Sequence, residues 1–300
     1  MPTTTANNLT LHYDEHGDPS HPPLLLVMGL GAQMTLWPME LVEALVERGF
    51  RVIRFDNRDV GLSEKLDGAK APGIVCHILF RRIGLRPKVP YTLEDMAADG
   101  AALLDSLGIE RAHVVGASMG GMIAQLMAIH YSDKLLSVTS IMSTTGNAKL
   151  PQADKAAMKA LTTPSPSMEE DALVENGIRI SNAIGSPGYR PDPERQRERV
   201  RESVRRSVYP EGMVRQMAAI IDDGDRRARL KDVRVPALVL HGEDDPLVKL
   251  AGGQDTAAAI PGAVLKTFPG WGHDLPMELV DEIADAIANH AFAADPAAPA

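Results

Sequence analysis

The sequence predicts an α/β protein in which a mostly parallel sheet carries helices on both faces and an inserted helical cap. Short apolar runs alternate with helical periodicity, as expected when a crossover helix joins successive parallel strands. The runs are apolar throughout, which is typical of strands buried on both faces. Residues 144–230 break this alternation with strand-free sequence rich in Arg, Glu, Pro and Ser. A chain of 300 residues is long enough to build one such core.

Six strands are predicted from the apolar runs, and four helices from apolar residues spaced three and four positions apart. The strands are residues 24–27, 51–55, 113–115, 136–142, 236–240 and 263–268, and the helices lie near residues 41–46, 92–107, 122–127 and 276–291. The first helix stops at Gly49 and the second at Gly108, because glycine favours helix C-termini. Thr92 and Asp95 form the capping signature that opens the second helix.

Two segments depart from this regular pattern. Residues 144–230 separate the two parts of one core, residues 1–143 and 231–300. An insertion of this length is most simply a helical cap, which we expect over the carboxyl ends of the strands, where open α/β sheets bind ligands. Residues 64–91 are expected to be a long irregular connection, and Cys76 lies within it.

Composition excludes several classes of function. With 31 basic and 40 acidic residues the net charge is −9, which disfavours a nucleic-acid or anionic-membrane partner. The single cysteine excludes a disulfide framework or a cysteine-rich metal site. Residues 1–5 lack the features of a signal peptide, and the apolar run at residues 24–30 is too short to span a membrane. We therefore expect a cytoplasmic protein without a membrane span.

The strongest functional signal is the sequence Gly-Ala-Ser-Met-Gly at residues 116–120, between a predicted strand and a predicted helix. A serine nucleophile on a sharp strand-to-helix turn needs small residues two positions before and after it, and Gly116 and Gly120 supply them. We therefore predict Ser118 as the catalytic nucleophile. The alternative is a structural glycine-rich turn.

A serine nucleophile needs a base, and the base needs an orienting acid; in this architecture the order along the chain is serine, acid, histidine. Of the nine histidines, only His241 and His273 follow Ser118 at a strand end or in the loop after a strand. His273 is the predicted base because it lies in a flexible Gly-rich loop after the last strand. His241 is interpreted as a hydrogen-bonded residue that closes its strand.

Three carboxylates follow the strand at residues 236–240, and one of them is the expected acid. Asp245 is preferred because the next residue is proline, which holds Asp245 in an extended conformation that suits a side chain fixed on one partner. Asp244 is the alternative, and Glu243 is interpreted as part of a solvated turn. The strand at residues 136–142 is followed by Ser-Thr-Thr and offers no acid.

The negative charge that develops on a reacting carbonyl needs two backbone N–H donors, together called the oxyanion hole. We predict Met119, directly after the nucleophile, and Leu30, in the Met-Gly-Leu-Gly loop at residues 28–31. A plain glycine turn is the alternative for that loop. We predict no cofactor and no metal.

Four sequence motifs together resemble the aclacinomycin methylesterase-like branch of the α/β-hydrolase superfamily. They are Val-Met-Gly-Leu-Gly at 27–31, Phe-Asp-Asn-Arg-Asp-Val-Gly-Leu-Ser at 55–63, Val-Gly-Ala-Ser-Met-Gly-Gly at 115–121 and His-Gly-Glu-Asp-Asp-Pro at 241–246. The resemblance spans about residues 8–292 and implies ester hydrolysis through Ser118, Asp245 and His273 without a cofactor. Met28 departs from the broader superfamily, which usually has histidine there, and this concerns loop geometry. By the same resemblance we interpret Asp56 and Arg58 as a scaffold ion pair.

Other functions on this fold remain open from the sequence. A serine at 118 argues against dehalogenase and epoxide hydrolase chemistry, which use a carboxylate nucleophile on this fold. Lactonase, perhydrolase and carbon–carbon bond hydrolase activities use the same three residues, and a non-catalytic ligand receptor is a further alternative. We expect a small-molecule ester substrate, and we expect residues 144–230 to select it while the core alone holds the chemical machinery.

Overall fold

The computed structural model describes residues 2–295, apart from the side chains of residues 74, 81 and 82. Residue 1 and residues 296–300, at the two ends of the predicted core, lie outside the described residues. No helix within the described part of the chain has both the length and the apolar character needed to cross a bilayer.

A single eight-stranded sheet forms the centre of the molecule, with strand order β1-β2-β4-β3-β5-β6-β7-β8. The strands are β1 (Thr3–Ala6), β2 (Leu9–His16), β3 (Pro23–Val27), β4 (Arg51–Phe55), β5 (Ala112–Ala117), β6 (Leu135–Ile141), β7 (Ala237–Gly242) and β8 (Val264–Phe268). The pairs β1–β2 and β2–β4 are antiparallel and the others are parallel. All six predicted strands are present, so the predicted fold class is confirmed. Strands β1 and β2 lack continuous apolar runs, and the sequence analysis missed them.

The helices lie on both faces of the sheet. Within the described residues they are α1 (Met39–Glu47), α2 (Ile74–Arg82), α3 (Leu93–Ser106), α4 (Met119–His130), α5 (Lys155–Thr162), α6 (Glu170–Ile184), α7 (Pro193–Arg206), α8 (Pro210–Asp223), α9 (Arg227–Leu230), α10 (Leu250–Ala259) and α11 (Val280–Ala294). The capping box predicted for α3 is present, because the Thr92 hydroxyl accepts from the Asp95 N–H while the Asp95 carboxylate accepts from the Thr92 N–H.

The sheet lies between two hydrophobic cores, one on each face. In β3, Leu25 and Val27 belong to the core that contains α3 and α4, whereas Leu24 and Leu26 belong to the core that contains α1 and α11. Alternate residues of one strand are therefore buried on opposite faces, which explains its continuously apolar sequence.

The structure corrects the expectation for residues 64–91. They contain α2, so Cys76 lies in a helix and not in a loop. Its side chain is exposed on that helix. The apolar residues of this segment gave no clear helical stripe because most of them face solvent; Val75 is 80% exposed and Leu79 is 58% exposed. Among the described side chains of this helix, that of His77 is buried, and it lies 3.9 Å from the Asp222 carboxylate of α8.

Helices α5 to α9 occupy the segment between β6 and β7. Two ion pairs join this segment to the loop after β4: Arg206 of α7 contacts Asp56 at 2.7 Å, and Arg215 of α8 contacts Asp59 at 2.7 Å. All four side chains are at most 13% exposed. The segment is therefore anchored to the core by charge pairs shielded from water, a setting in which each charge needs its partner.

The interpretation of Asp56 and Arg58 as a mutual ion pair is wrong. Asp56 accepts from the backbone N–H groups of Met34 and Leu62 in addition to pairing with Arg206. Arg58 forms a bidentate pair with Asp99 of α3, with both N···O distances 2.6 Å. The two side chains therefore tie the loop after β4 to two different helices, α7 and α3, and the paired residues are distant in the sequence.

Candidate active site

Ser118 occupies a sharp turn between β5 and α4. Its φ of 56° and ψ of −117° are unusual for a residue with a side chain, and such strain persists only where the surrounding structure enforces it. Its N–H donates to the Ile141 carbonyl at 2.9 Å, which ties the turn to β6. A Cβ on Gly116 would lie 2.0 Å from the Gly120 carbonyl oxygen, and a Cβ on Gly120 would lie 2.0 Å from the Val27 carbonyl oxygen. The turn therefore requires glycine at both positions.

The structure brings His273 to Ser118 from the loop after β8. The His273 Nε2 lies 3.0 Å from the Ser118 Oγ, and the His273 Nδ1 lies 2.7 Å from the Asp245 Oδ2. His273 is 8% exposed and Asp245 is 1% exposed. Hydroxyl, imidazole and carboxylate thus form one hydrogen-bonded chain.

Asp245 is fixed by the backbone that follows it. Its Oδ1 accepts from the N–H groups of Leu247 and Val248, both at 2.8 Å, which leaves Oδ2 for His273. The alternative acid, Asp244, is exposed, and its Oδ2 accepts from the Gly270 N–H at 2.8 Å. Glu243 accepts from the Thr267 hydroxyl. The structure therefore places Asp245 against the imidazole and directs its two acidic neighbours elsewhere.

His241 lies beside this group but bonds to the backbone. Its Nε2 is 2.7 Å from the Val248 carbonyl oxygen and 3.7 Å from Asp245. A carbonyl can only accept, so Nε2 carries the proton. Burial lowers the pKa of His241, which favours the neutral ring. The expectation of a fully hydrogen-bonded histidine is half correct, because Nδ1 has no partner among the described residues. A Cβ on Gly253 would lie 2.5 Å from that nitrogen.

The Gly29–Gly31 loop lies next to Ser118. A Cβ on Gly29 would lie 3.1 Å from the Ser118 Cβ, and the Gly31 N–H donates to the Gln216 Oε1 of α8 at 2.7 Å. Leu30 stands between these two fixed points and is half-buried. Met119, the other predicted donor, is the first residue of α4 and is buried. The structure thus brings both predicted donor residues to the vicinity of Ser118.

Three successive residues around His273 are hydrogen-bonded to a segment that the sequence analysis placed outside the chemical machinery. The His273 N–H donates to the Ile184 carbonyl at 2.8 Å, and the Gly272 N–H donates to the Ser186 Oγ at 2.9 Å. The Asp274 carboxylate accepts from both the N–H and the hydroxyl of Ser186. Burial raises the pKa of Asp274. No sequence pattern indicated these contacts, because the partners lie 86 to 89 positions apart.

This arrangement can move a proton. An imidazole whose far nitrogen is held by a carboxylate can accept a proton from a hydroxyl at hydrogen-bond distance and return it to a leaving group. Within residues 2–295, no three or more His, Cys, Asp or Glu side chains are grouped so that they could hold a metal ion.

Comparison with known families decides the classification. The sequence pattern of the family described as alpha/beta hydrolase fold matches residues 22–278. The chain belongs to the alpha/beta hydrolase family. This match, together with the rhodomycin D methylesterase relatives, confirms the resemblance found in the four sequence motifs.

Individual relatives of this alpha/beta hydrolase align over most of its length. It is 31% identical to rhodomycin D methylesterase DnrP of Streptomyces peucetius, over 98% of this chain and 99% of that protein. It is 26% identical to 3-oxoadipate enol-lactonase 2 of Acinetobacter baylyi, over 84% of this chain and 82% of that protein. The crystal structure of an enol-lactonase from Burkholderia xenovorans superposes with a TM-score of 0.70 at 26% identity, covering 96% of this chain and 99% of that one. Methylesterases and lactonases both cleave carboxylic esters.

Proposed function

We propose that this alpha/beta hydrolase is a carboxylic ester hydrolase in which Ser118 is the nucleophile, His273 the base and Asp245 the orienting acid. The observation that carries the proposal is the hydrogen-bonded chain of 3.0 Å and 2.7 Å through His273, built on a strained serine at a strand-to-helix turn. The methylesterase and lactonase relatives support the same reaction class.

The reaction proceeds in two stages, acylation of Ser118 and hydrolysis of the acyl-enzyme. In the first, His273 Nε2 takes the proton of the Ser118 hydroxyl while Oγ attacks the ester carbonyl carbon; the carbon–oxygen bond to the alcohol then breaks, and His273 gives that proton to the departing alcohol. The acyl group remains on Oγ. In the second half, water adds to the acyl carbon and gives a proton to His273, which returns it to Oγ as the carboxylic acid leaves. Asp245 holds the imidazole in the tautomer with the proton on Nδ1 and stabilises the imidazolium.

The oxyanion of each tetrahedral intermediate needs preorganised donors. We assign this role to the backbone N–H groups of Leu30 and Met119. The bond from the Gly31 N–H to Gln216 and the close approach of Gly29 to Ser118 support the assignment, because they fix the backbone on both sides of Leu30. Met119 follows the nucleophile directly, at the N-terminus of α4, where backbone N–H groups favour negative charge.

Residues 144–230 are proposed to be a cap that covers the site and shapes the ester pocket, with residues 1–143 and 231–300 as the catalytic core. Contacts from α8 support this division: Gln216 holds Gly31, and the Met213 side chain would lie 3.2 Å from a Cβ on that glycine. Met213 is therefore positioned to contact the acyl or alcohol part of a bound ester. The buried Arg206 and Arg215 pairs hold the cap on the loop after β4.

Lactone hydrolysis is a second candidate, favoured by the enol-lactonase relatives. A lactone is a cyclic ester, so Ser118 would open the ring and the alcohol would stay attached to the acyl group. Measuring kcat/KM on a panel of methyl esters, p-nitrophenyl esters of increasing chain length and lactones separates the two candidates, because an esterase prefers the open-chain esters and a lactonase prefers the lactones. On the preferred substrates we expect sustained turnover by the wild-type protein and none above background by Ser118→Ala. Equal turnover by both proteins would refute the proposal.

A further inference from the structure

The loop that carries the base is held from two sides. Its first half is bonded to the core, because the Gly270 N–H donates to the Asp244 carboxylate and the Trp271 carbonyl accepts from the Asp244 N–H. The inserted segment also reaches this half, since the Gly188 N–H donates to the Gly270 carbonyl at 3.0 Å. Its second half, residues 272–274, is bonded to residues 184–186 at the end of α6. We call residues 269–274 the base loop and residues 184–186 the cap clip. His273 lies in the half that is bonded to the cap clip.

Ser186 is the centre of the cap clip. It is completely buried, its Oγ accepts from the Gly272 N–H, and its hydroxyl donates to the Asp274 Oδ1. The residue before His273 and the residue after it are therefore joined through one hydroxyl. The Ile184 carbonyl accepts from the N–H of His273 itself. Two of these bonds hold backbone N–H groups at and next to the base, and the third holds the side chain of the residue that follows it.

The two segments also touch closely along their backbones. A Cβ on Gly272 would lie 2.6 Å from the carbonyl carbon of Gly185, and a Cβ on Gly185 would lie 3.0 Å from the Asp274 carboxylate. No space for a side chain remains between them. A shift of the C-terminal end of α6 must therefore be transmitted to the base loop, since close-packed atoms cannot absorb it.

We propose that Ser186 and Asp274 are positioning residues for His273, so that the cap sets the alignment of the base as well as the shape of the pocket. This inference rests on the proposed function and deepens it. A displacement of about 1 Å at a catalytic group can cost about 100-fold in rate. Under this proposal the core supplies Ser118, Asp245 and His273, and the inserted segment aligns the base through hydrogen bonds to the base loop.

Four single variants test the clip. Ser186→Ala removes the bridging hydroxyl, and Asp274→Ala removes its acceptor. Asp274→Asn keeps an oxygen that can accept from the N–H and hydroxyl of Ser186 but removes the charge. Tyr189→Phe is the matched control. It also removes a hydroxyl of the cap that donates to the base loop, at 3.2 Å to the Pro269 carbonyl, but this bond is exposed and lies at the end of the loop farther from His273.

We expect Ser186→Ala and Asp274→Ala to lower kcat on a small acetate ester by about 10- to 100-fold while KM changes less than about twofold. Asp274→Asn should retain most of the activity, and Tyr189→Phe should match wild type. The double variant Ser186→Ala/Asp274→Ala should be no slower than the slower single variant, because both remove the same link. Unchanged kcat in both alanine variants, or a loss that appears only in KM, would overturn the proposal.

Amide hydrogen exchange supplies a readout that does not depend on turnover. The amides of Gly272 and His273 should exchange faster in Ser186→Ala and Asp274→Ala, and at the wild-type rate in Tyr189→Phe. If Ser186→Ala does not fold, the comparison of Asp274→Ala with Asp274→Asn decides the question. If the wild-type protein hydrolyses no ester, the proposed function fails, and exchange still decides whether the clip fixes the loop. Unaltered exchange in the alanine variants would refute it.

Discussion

Asp245 and Asp244 are adjacent in the sequence, yet their side chains have different surroundings. Asp245 is buried. One of its carboxylate oxygens accepts hydrogen bonds from two backbone N–H groups, and the other is hydrogen-bonded to His273. Asp244 is exposed and accepts from a single backbone N–H in the base loop. In the sequence, only the proline at position 246 distinguished the two aspartates. It favoured Asp245, and the structure has the carboxylate of Asp245 hydrogen-bonded to the imidazole of His273.

These surroundings predict unequal effects of the same substitution. Asp245→Asn should lower kcat by about 10⁴-fold, because the amide no longer holds the required imidazole tautomer. Asp244→Asn should lose less than about threefold, since the amide oxygen can still accept from Gly270. Steady-state kinetics on one activated ester measures both. If Asp244→Asn is the more damaged variant, the assignment of the acid is incorrect.

Because His113, in β5, is buried, we expect the stability of the protein to depend on pH. Burial lowers its pKa to about 4 from the ordinary value of 6.5. Between these values the unfolded chain binds a proton at this residue and the folded chain does not. The free energy of unfolding therefore decreases as pH falls from about 6.5 to about 4, by on the order of 3 kcal/mol from this residue. Above pH 6.5 the contribution is constant.

Urea unfolding at pH 5 and pH 7 tests this effect. The loss of stability between the two pH values should be smaller in His113→Gln than in wild type, because the variant has no group to protonate there. Equal losses in wild type and His113→Gln would contradict the prediction.

At the scale of elements, α8 is docked by a buried ion pair. Arg215 pairs through two N–H groups with both oxygens of Asp59, and both side chains are at most 5% exposed. The guanidinium also holds the pKa of the Asp59 carboxyl below its usual range, against the opposing effect of burial. Loss of either partner would leave an uncompensated buried charge, which is one of the more costly defects in a folded protein.

Arg215→Ala should therefore lower the free energy of unfolding by about 3 kcal/mol. The matched control is Arg227→Ala, which removes an arginine from a pair with Asp225 in which both side chains are about 40% exposed. That change should cost less than about 1 kcal/mol, since exposed pairs contribute little. Chemical denaturation of both variants gives the comparison. Similar losses in the two variants would show that the Arg215 pair does not anchor α8.

For the whole molecule, the sequence predicted those features that local pattern determines. Buried parallel strands have continuous apolar runs, and a strained serine turn needs flanking glycines, so six strands and the sharp turn at Ser118 could be predicted directly. Strands β1 and β2 lack such runs, and α2 exposes the apolar residues that would normally mark a helix. The pairs Asp56–Arg206 and Arg58–Asp99 and the cap clip could not be predicted, because each joins residues whose proximity only the complete fold creates.

The central claim is that Ser118 is a covalent nucleophile activated by His273, and active-site labelling tests it most directly. A fluorophosphonate transfers its phosphonyl group to an activated serine and forms a stable adduct. The intact mass of the wild-type protein should increase by one adduct per chain, and peptide mapping should place the adduct on Ser118. Ser118→Ala should remain unlabelled, and His273→Ala should be labelled far more slowly. An adduct on another residue, or labelling that persists in Ser118→Ala, would contradict the account.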